Sequence, residues 1–237
     1  MTGQLEESER DPDSSSGPRV DRPAFLIVGP DRAITSLRDS MDRLRQHPAL
    51  AAELTELFNV LDDQADHVPE RLDDQMRWAH HIPLAVDARA SLDEILAAFG
   101  RMTFGRPNRL RQGVDFDQAT NSDLFFVTLE KAEGHYSPST MYRDYAISPD
   151  LFHWESQSTT SVQSPTGRRY LHHRTGGSHV FLFVRPRKYE AGRTAAYTCL
   201  GAVDYVSHQG SRPVAITWRL RKSMPDDFFR EAKVAPG

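Results

Sequence analysis

A single cysteine, Cys199, serves all 237 residues. An internal disulfide and a cysteine-rich zinc site are therefore excluded, and a reducing cytoplasm is the expected compartment. Cys199 sits in an apolar stretch and reads as a small core residue. No apolar run approaches the roughly 18 residues a membrane helix needs. The N-terminus, Met1-Thr-Gly-Gln-Leu-Glu-Glu, lacks the basic start and apolar block of a signal peptide. No membrane partner is expected. There is no Walker-type phosphate loop, no dinucleotide glycine fingerprint and no Gly-x-Ser-x-Gly turn. Histidines fall in adjacent pairs, His80-His81 and His172-His173, whose side chains diverge and chelate poorly. Glu130-Lys131 ends an apparent strand but lacks the one-residue spacer of a metal-dependent nuclease core, and Asp123 and Glu133 do not repair it. A cryptic nuclease using Glu130, Glu133 and His135 is the one enzymatic reading left. Otherwise no catalytic residue, metal or cofactor is expected.

What the chain does have is unevenly spread. From Met141 to Lys222 there are 12 Lys/Arg against 5 Asp/Glu; from Met1 to Thr140 there are 15 against 25. A basic C-terminal half on an acidic chain points to a polyanion partner, unless the two halves simply attract each other. Residues 1–22 are acidic and nearly devoid of apolar side chains, so a disordered tail is expected. Residues 23–112 read as a helical subdomain. Ile34, Leu37, Met41 and Leu44 have helical spacing, and Pro48 resets it. Leu50, Leu54, Leu57, Phe58 and Leu61 mark a second amphipathic helix, and residues 69–80 a weaker third. Ser91-Leu-Asp-Glu94 is a capping box whose helix stops at Gly100. Residues 113–237 read as β-rich. Leu124–Leu129, His179–Val184 and Tyr197–Val206 are apolar strands. Val214, Ile216, Trp218 and Leu220 alternate with a wet, basic face. The fold class implied is α+β, with the helical part packed on a curved sheet or open barrel.

One block combines rings, polar groups and cations. Tyr142, Tyr145, Phe152 and Trp154 are followed by the polar run Gln157, Ser158, Thr159 and Thr160, and then by a turn, Ser164-Pro-Thr-Gly, that delivers Arg168 and Arg169. Ring faces stack a base, amides and hydroxyls read its edge, and guanidinium groups hold phosphate. Asp144 can accept from an exocyclic amine such as cytosine N4. Arg143 and Arg185 extend the phosphate-binding set. Equally, Phe152 and Trp154 have the character of core residues, Asp144 can pair with Arg143, and the polar run can be a solvated loop.

Ser91-Leu-Asp-Glu-Ile-Leu-Ala-Ala-Phe-Gly100, Arg111-Gln-Gly-Val114 and Leu124-Phe-Phe-Val-Thr-Leu-Glu-Lys131 carry a resemblance. So do Ser137-Pro-Ser-Thr-Met-Tyr-Arg-Asp-Tyr-Ala-Ile-Ser148, Leu151-Phe-His-Trp-Glu-Ser-Gln157, Ser164-Pro-Thr-Gly-Arg-Arg-Tyr170 and Leu182-Phe-Val-Arg185. Over residues 40–225 the chain resembles a C-terminal domain of unknown function found on bacterial superfamily II helicases and on type IV, modified-cytosine-dependent restriction enzymes. More weakly, Tyr197–Val206 with Trp218-Arg-Leu220 is similar to methylcytosine readers of the SET-and-RING-associated class, which implies an SRA/PUA-like sheet. Helicase and nuclease motifs are missing. The resemblance therefore implies a non-catalytic, nucleoid-associated reader of 5-methylcytosine in duplex DNA, which either flips the base into an aromatic pocket or meets its methyl group in the major groove. The rival expectation is an accessory module that docks a helicase or nuclease through its acidic helical half.

Overall fold

The computed structural model describes residues 37–63, 70–76, 81–102, 110, 113–129 and 144–233. In chain order the elements begin with helices α1 (Leu37–Arg45) and α2 (Pro48–Asp63) and a 3-10 turn (Leu72–Gln75). Strand β1 (Arg89–Ala90), helix α3 (Leu92–Ala98), β2 (Val114–Asp117), β3 (Ser122–Thr128), β4 (Tyr145–Ser148) and β5 (Leu151–Glu155) follow. The rest is α4 (Pro165–Leu171), β6 (His179–Arg185), β7 (Tyr189–Glu190), β8 (Arg193–Thr194), β9 (Tyr197–Gln209), β10 (Ala215–Leu220) and α5 (Asp226–Ala232). The tail lies outside the described residues.

Seven strands run in the order β2-β3-β6-β9-β10-β5-β4, with β1 added to β9, in a mixed sheet that does not close; β7 and β8 form a separate ribbon. All neighbours are antiparallel except β3 and β6, which pair in parallel from Ser122–His179 to Thr128–Arg185. The chain between these two strands makes β4, β5 and α4, so one long excursion supplies the far edge of the sheet. The 13-residue β9 pairs with β6 through its first half and with β10 through its second. It bridges the two parts of the sheet.

Alternation along the central strands feeds two cores. Leu124 and Phe126 of β3, with Phe181 and Phe183 of β6, face a cluster closed by Leu72, Ile82, Val86, Ile95, Leu96 and Phe99. Phe125 and Val127, with Val180, Leu182 and Val184, face the other cluster, closed by Phe152, Trp154, Tyr170, Ile216, Trp218 and Phe228. A strand buried on both faces reads as a continuous apolar run, which is why His179–Val184 lacks alternation. β10 keeps its alternation: Val214, Ile216, Trp218 and Leu220 are buried while Arg219 is exposed.

The capping box is present, with Ser91 Oγ accepting from Glu94 N at 3.2 Å and Glu94 Oε2 from Ser91 N at 2.7 Å. Gly100, at φ 68°, ends α3. Two expectations change. Residues 69–80 give a four-residue 3-10 turn instead of a helix among those described, because Leu72 and Met76 are drawn into the first core. α2 forms, but Leu50, Leu57, Phe58 and Val60 on it are 46–55% exposed. It is α3, not α2, that packs against the sheet. Residues 72–102 and strands β3, β6 and β9 share one cluster. Gln75 fastens that cover: its Oε1 accepts from Ala202 N at 2.7 Å, at the place where Gly201 (φ 82°) breaks the β9 ladder. A Cβ at Gly201 would lie 2.6 Å from the same oxygen.

Candidate nucleic-acid interface

Ser164-Pro-Thr-Gly opens a helix, not the turn the sequence suggested. Ser164 is the N-cap and accepts from Gly167 N at 3.0 Å, and Pro165 takes the first helical position, where no N–H is needed. Ser164 Oγ also donates to Ser161 O at 2.7 Å. The helix start is so close to that carbonyl that a Cβ on residue 167 would stand 1.9 Å from it, so only glycine fits. The preceding loop is pinned from below. Ser156 N donates to Val214 O, Val214 N to Ser156 Oγ, Val162 N to Ser211 O, and Arg212 Nε to Ser158 O. Thr160 N donates to Gln157 O at 2.9 Å, folding Gln157–Thr160 into a turn.

Successive helical residues point about 100° apart, so Arg168 and Arg169 leave α4 in different directions. Arg169 enters a cleft of about 290 Å³ between α4, β2 and the Gln157–Thr160 loop. Val114, Asp115, Phe116, Asp123, Gln157, Thr159, Thr160, Ser164, Thr166 and Tyr170 complete its lining. The guanidinium sits 4.0 Å over the Phe116 ring. It donates twice to Asp123, Nε to Oδ2 and Nη2 to Oδ1, both at 2.7 Å. Burial pushes the Asp123 carboxyl above its usual range, and the paired guanidinium offsets part of that cost; Arg169 is in turn held more firmly charged by this bond. Asp115 is bound by Arg101 at 2.8 and 3.3 Å. Gln157 keeps its Nε2 buried with no hydrogen-bond partner. Such a donor costs about 1–3 kcal/mol and is relieved by an added acceptor.

Arg168 is exposed and enters a second cleft, of about 620 Å³, on the opposite side of α4. Val162, Gln163, Leu171, His172, Tyr205 and His208 line it with Arg168.

The family model for a domain of unknown function, DUF3427, matches residues 99–232, more than half of the chain. The chain belongs to this family. No curated protein matches it. In this DUF3427 chain both clefts lie wholly within the matched span.

The sequence-predicted residues scatter accordingly. Gln157, Thr159, Thr160 and Arg169 come together in the smaller cleft. Phe152 (0% exposed) and Trp154 (5%) are corrections: both rings are sealed in the second core, with Trp154 stacked on Phe125 at 4.1 Å and edge-on to Tyr170 at 5.6 Å. They support the cleft through Tyr170 and present no face to a base. Arg185 is a further correction. It is buried, donates to Thr128 Oγ1 and Ala195 O, and lies 4.3 Å over Tyr197, so it is a structural cation and not a phosphate contact. Asp144 accepts from Glu155 N at 2.9 Å, bracing β4 against β5. Tyr145 stacks on His153 at 4.8 Å on the outer side of that hairpin. Neither lines the small cleft. Ser158 is exposed, its carbonyl held by Arg212. Tyr142, Arg143, Glu130, Glu133 and His135 lie outside the described residues. Phe116, Asp123, Tyr205 and His208 were missed as partners of the block, because only the sheet brings them to it. Among the described residues no group of three or more His, Cys, Asp or Glu is placed to hold a metal ion, and no helix is long and apolar enough to cross a membrane.

Proposed function

We propose that the chain is a non-catalytic DNA-binding protein that reads 5-methylcytosine, with the flipped base held in the cleft beside Arg169. The observation that carries this reading is the convergence of Gln157, Thr159, Thr160 and Arg169 on one pocket with the Phe116 ring. Cytosine presents acceptors at O2 and N3 and a donor at N4. The unsatisfied Gln157 amide suits the acceptors, and Asp115 or Asp123 suits the donor. Val114 and Phe116 supply apolar wall for the methyl group. One buried methyl contributes about 0.8 kcal/mol, so a preference of about fourfold over plain cytosine follows. Extruding the base costs a few kcal/mol, which contacts in the cleft must offset.

The test is a titration of the full chain with matched methylated and unmethylated duplexes at low salt. Tighter binding of the methylated duplex, lost in Gln157→Ala and Thr159→Ala, is the expected result. Equal affinity for the two duplexes overturns the methyl reading. No binding to either overturns DNA recognition, and the accessory-module reading then takes over. That second reading draws on one observation of its own. The exposed apolar residues of α2 lie on a helix that also bears Glu53 and Glu56, a surface suited to a basic partner helix.

A further inference from the structure

The larger cleft differs from the smaller in having no carboxylate in its lining. Its polar groups are the Arg168 guanidinium, the imidazoles of His172 and His208, the Tyr205 hydroxyl and the Gln163 amide. Every one of them can donate a hydrogen bond. The Arg168 guanidinium has no ion-pair partner among the described residues, whereas Arg101, Arg169 and Arg221 each hold an aspartate. Asp204, the carboxylate beside Tyr205 in sequence, is already engaged by Arg221 at 3.1 Å and Arg174 at 4.0 Å, with His173 Nε2 at 3.6 Å. It does not neutralise the cleft. Tyr205 Oη lies 2.7 Å from His208 Nδ1. With the hydroxyl donating there, the ring proton sits on Nε2, which is then available to a ligand acceptor. The carbonyls at the end of α4 do not oppose an anion, because Arg168 O accepts from His172 N, and His172 O from Gly176 N and Thr175 Oγ1.

We infer that this cleft is a phosphate-binding subsite, with Arg168 as the charged anchor, His172 and His208 as the surrounding donors, and Tyr205 turning the His208 ring so that its Nε2–H faces the ligand. Within the DNA-binding reading it holds a backbone phosphate while the base lies across α4. The anion chemistry itself stands without that reading. The phosphate belongs to nucleic acid or to a free phosphate compound, and the experiment separates the two.

The full chain is titrated with an unmethylated duplex over a salt series and, separately, with inorganic phosphate while the histidine ring signals are followed by NMR. Arg168→Ala should weaken duplex binding about tenfold and flatten the log–log salt dependence by about 0.9, the value for one lost phosphate contact. His208→Ala should weaken it less. Because Arg168 is exposed, its melting temperature should match wild type. Inorganic phosphate should move the His172 and His208 signals in wild type and leave them still in Arg168→Ala. If phosphate does so while neither duplex binds, the subsite stands, its ligand is a free phosphate compound, and the DNA reading falls. If Arg168→Ala changes neither the duplex affinity nor the phosphate response, the subsite is overturned, whatever the methyl preference proves to be.

Discussion

The two clefts share a wall, helix α4, yet treat their arginines in opposite ways. On the β2 side Arg169 is committed to a buried carboxylate and a ring, with both its bonds to Asp123 at 2.7 Å. On the β9 side Arg168 projects among donors with no carboxylate beside it. Adjacent residues of one type thus have different jobs. Arg169 shapes a pocket and sets its polarity, and Arg168 offers charge to whatever arrives. The count of cations in the sequence block overstates what is available for binding, because some of that charge is spent inside the protein.

The sharpest way to probe this contrast is to remove its foundation. Trp154→Ala empties the position stacked on Phe125 and edge-on to Tyr170 and should cost about 3–5 kcal/mol, read as a large drop in melting temperature. A stable Trp154→Ala protein with altered DNA binding alone would show that the ring faces ligand after all. Next comes the arginine pair. Arg169→Ala leaves Asp123 buried without its counter-ion and should cost about 3 kcal/mol, the lower end for such pairs because Arg169 is partly exposed. Arg168→Ala should change stability by no more than about 0.5 kcal/mol. Equal denaturation midpoints for the two variants would erase the distinction. The smallest effect concerns Asp204, near the β9 cleft. The imidazole of His173, then Arg221 and Arg174, hold its carboxyl well below the usual carboxylate range against the opposing effect of burial. A lowered folded-state value means that the stabilisation is complete above the unfolded value, near 3.9, and is lost as pH falls below it. Melting temperature should therefore fall on acidification below about pH 4. Asp204→Asn should be less stable at neutral pH and show a shallower fall.

Much of the sheet was legible because its strands obey simple periodicities: β10 alternates, and β6 is apolar throughout because both its faces are covered. The capping box gave the start of α3 to the residue. α4 was missed although its signal was present, since serine followed by proline marks a helix N-cap and first position as readily as a turn. The clefts were only half legible. Gln157, Thr159, Thr160, Arg168 and Arg169 stood out by residue type. Phe116 and Asp123 lie some 40 or more positions upstream, and nothing local ties them to Arg169. Trp154 and Phe152 show the limit of composition: a large ring suits a base and a core alike, and only the register of β5 between β4 and β10 decides.

The hold of Gln75 on the broken ladder at Gly201 has a bearing on where this protein can be cut. The family match begins at Phe99, but the lid over Phe181 and Phe183 is supplied by residues upstream of that point. A fragment trimmed to the matched limits would lose the glutamine that satisfies Ala202 and lay one side of its central strands open to water. The stretch that matches the family is thus shorter than the core it helps to build.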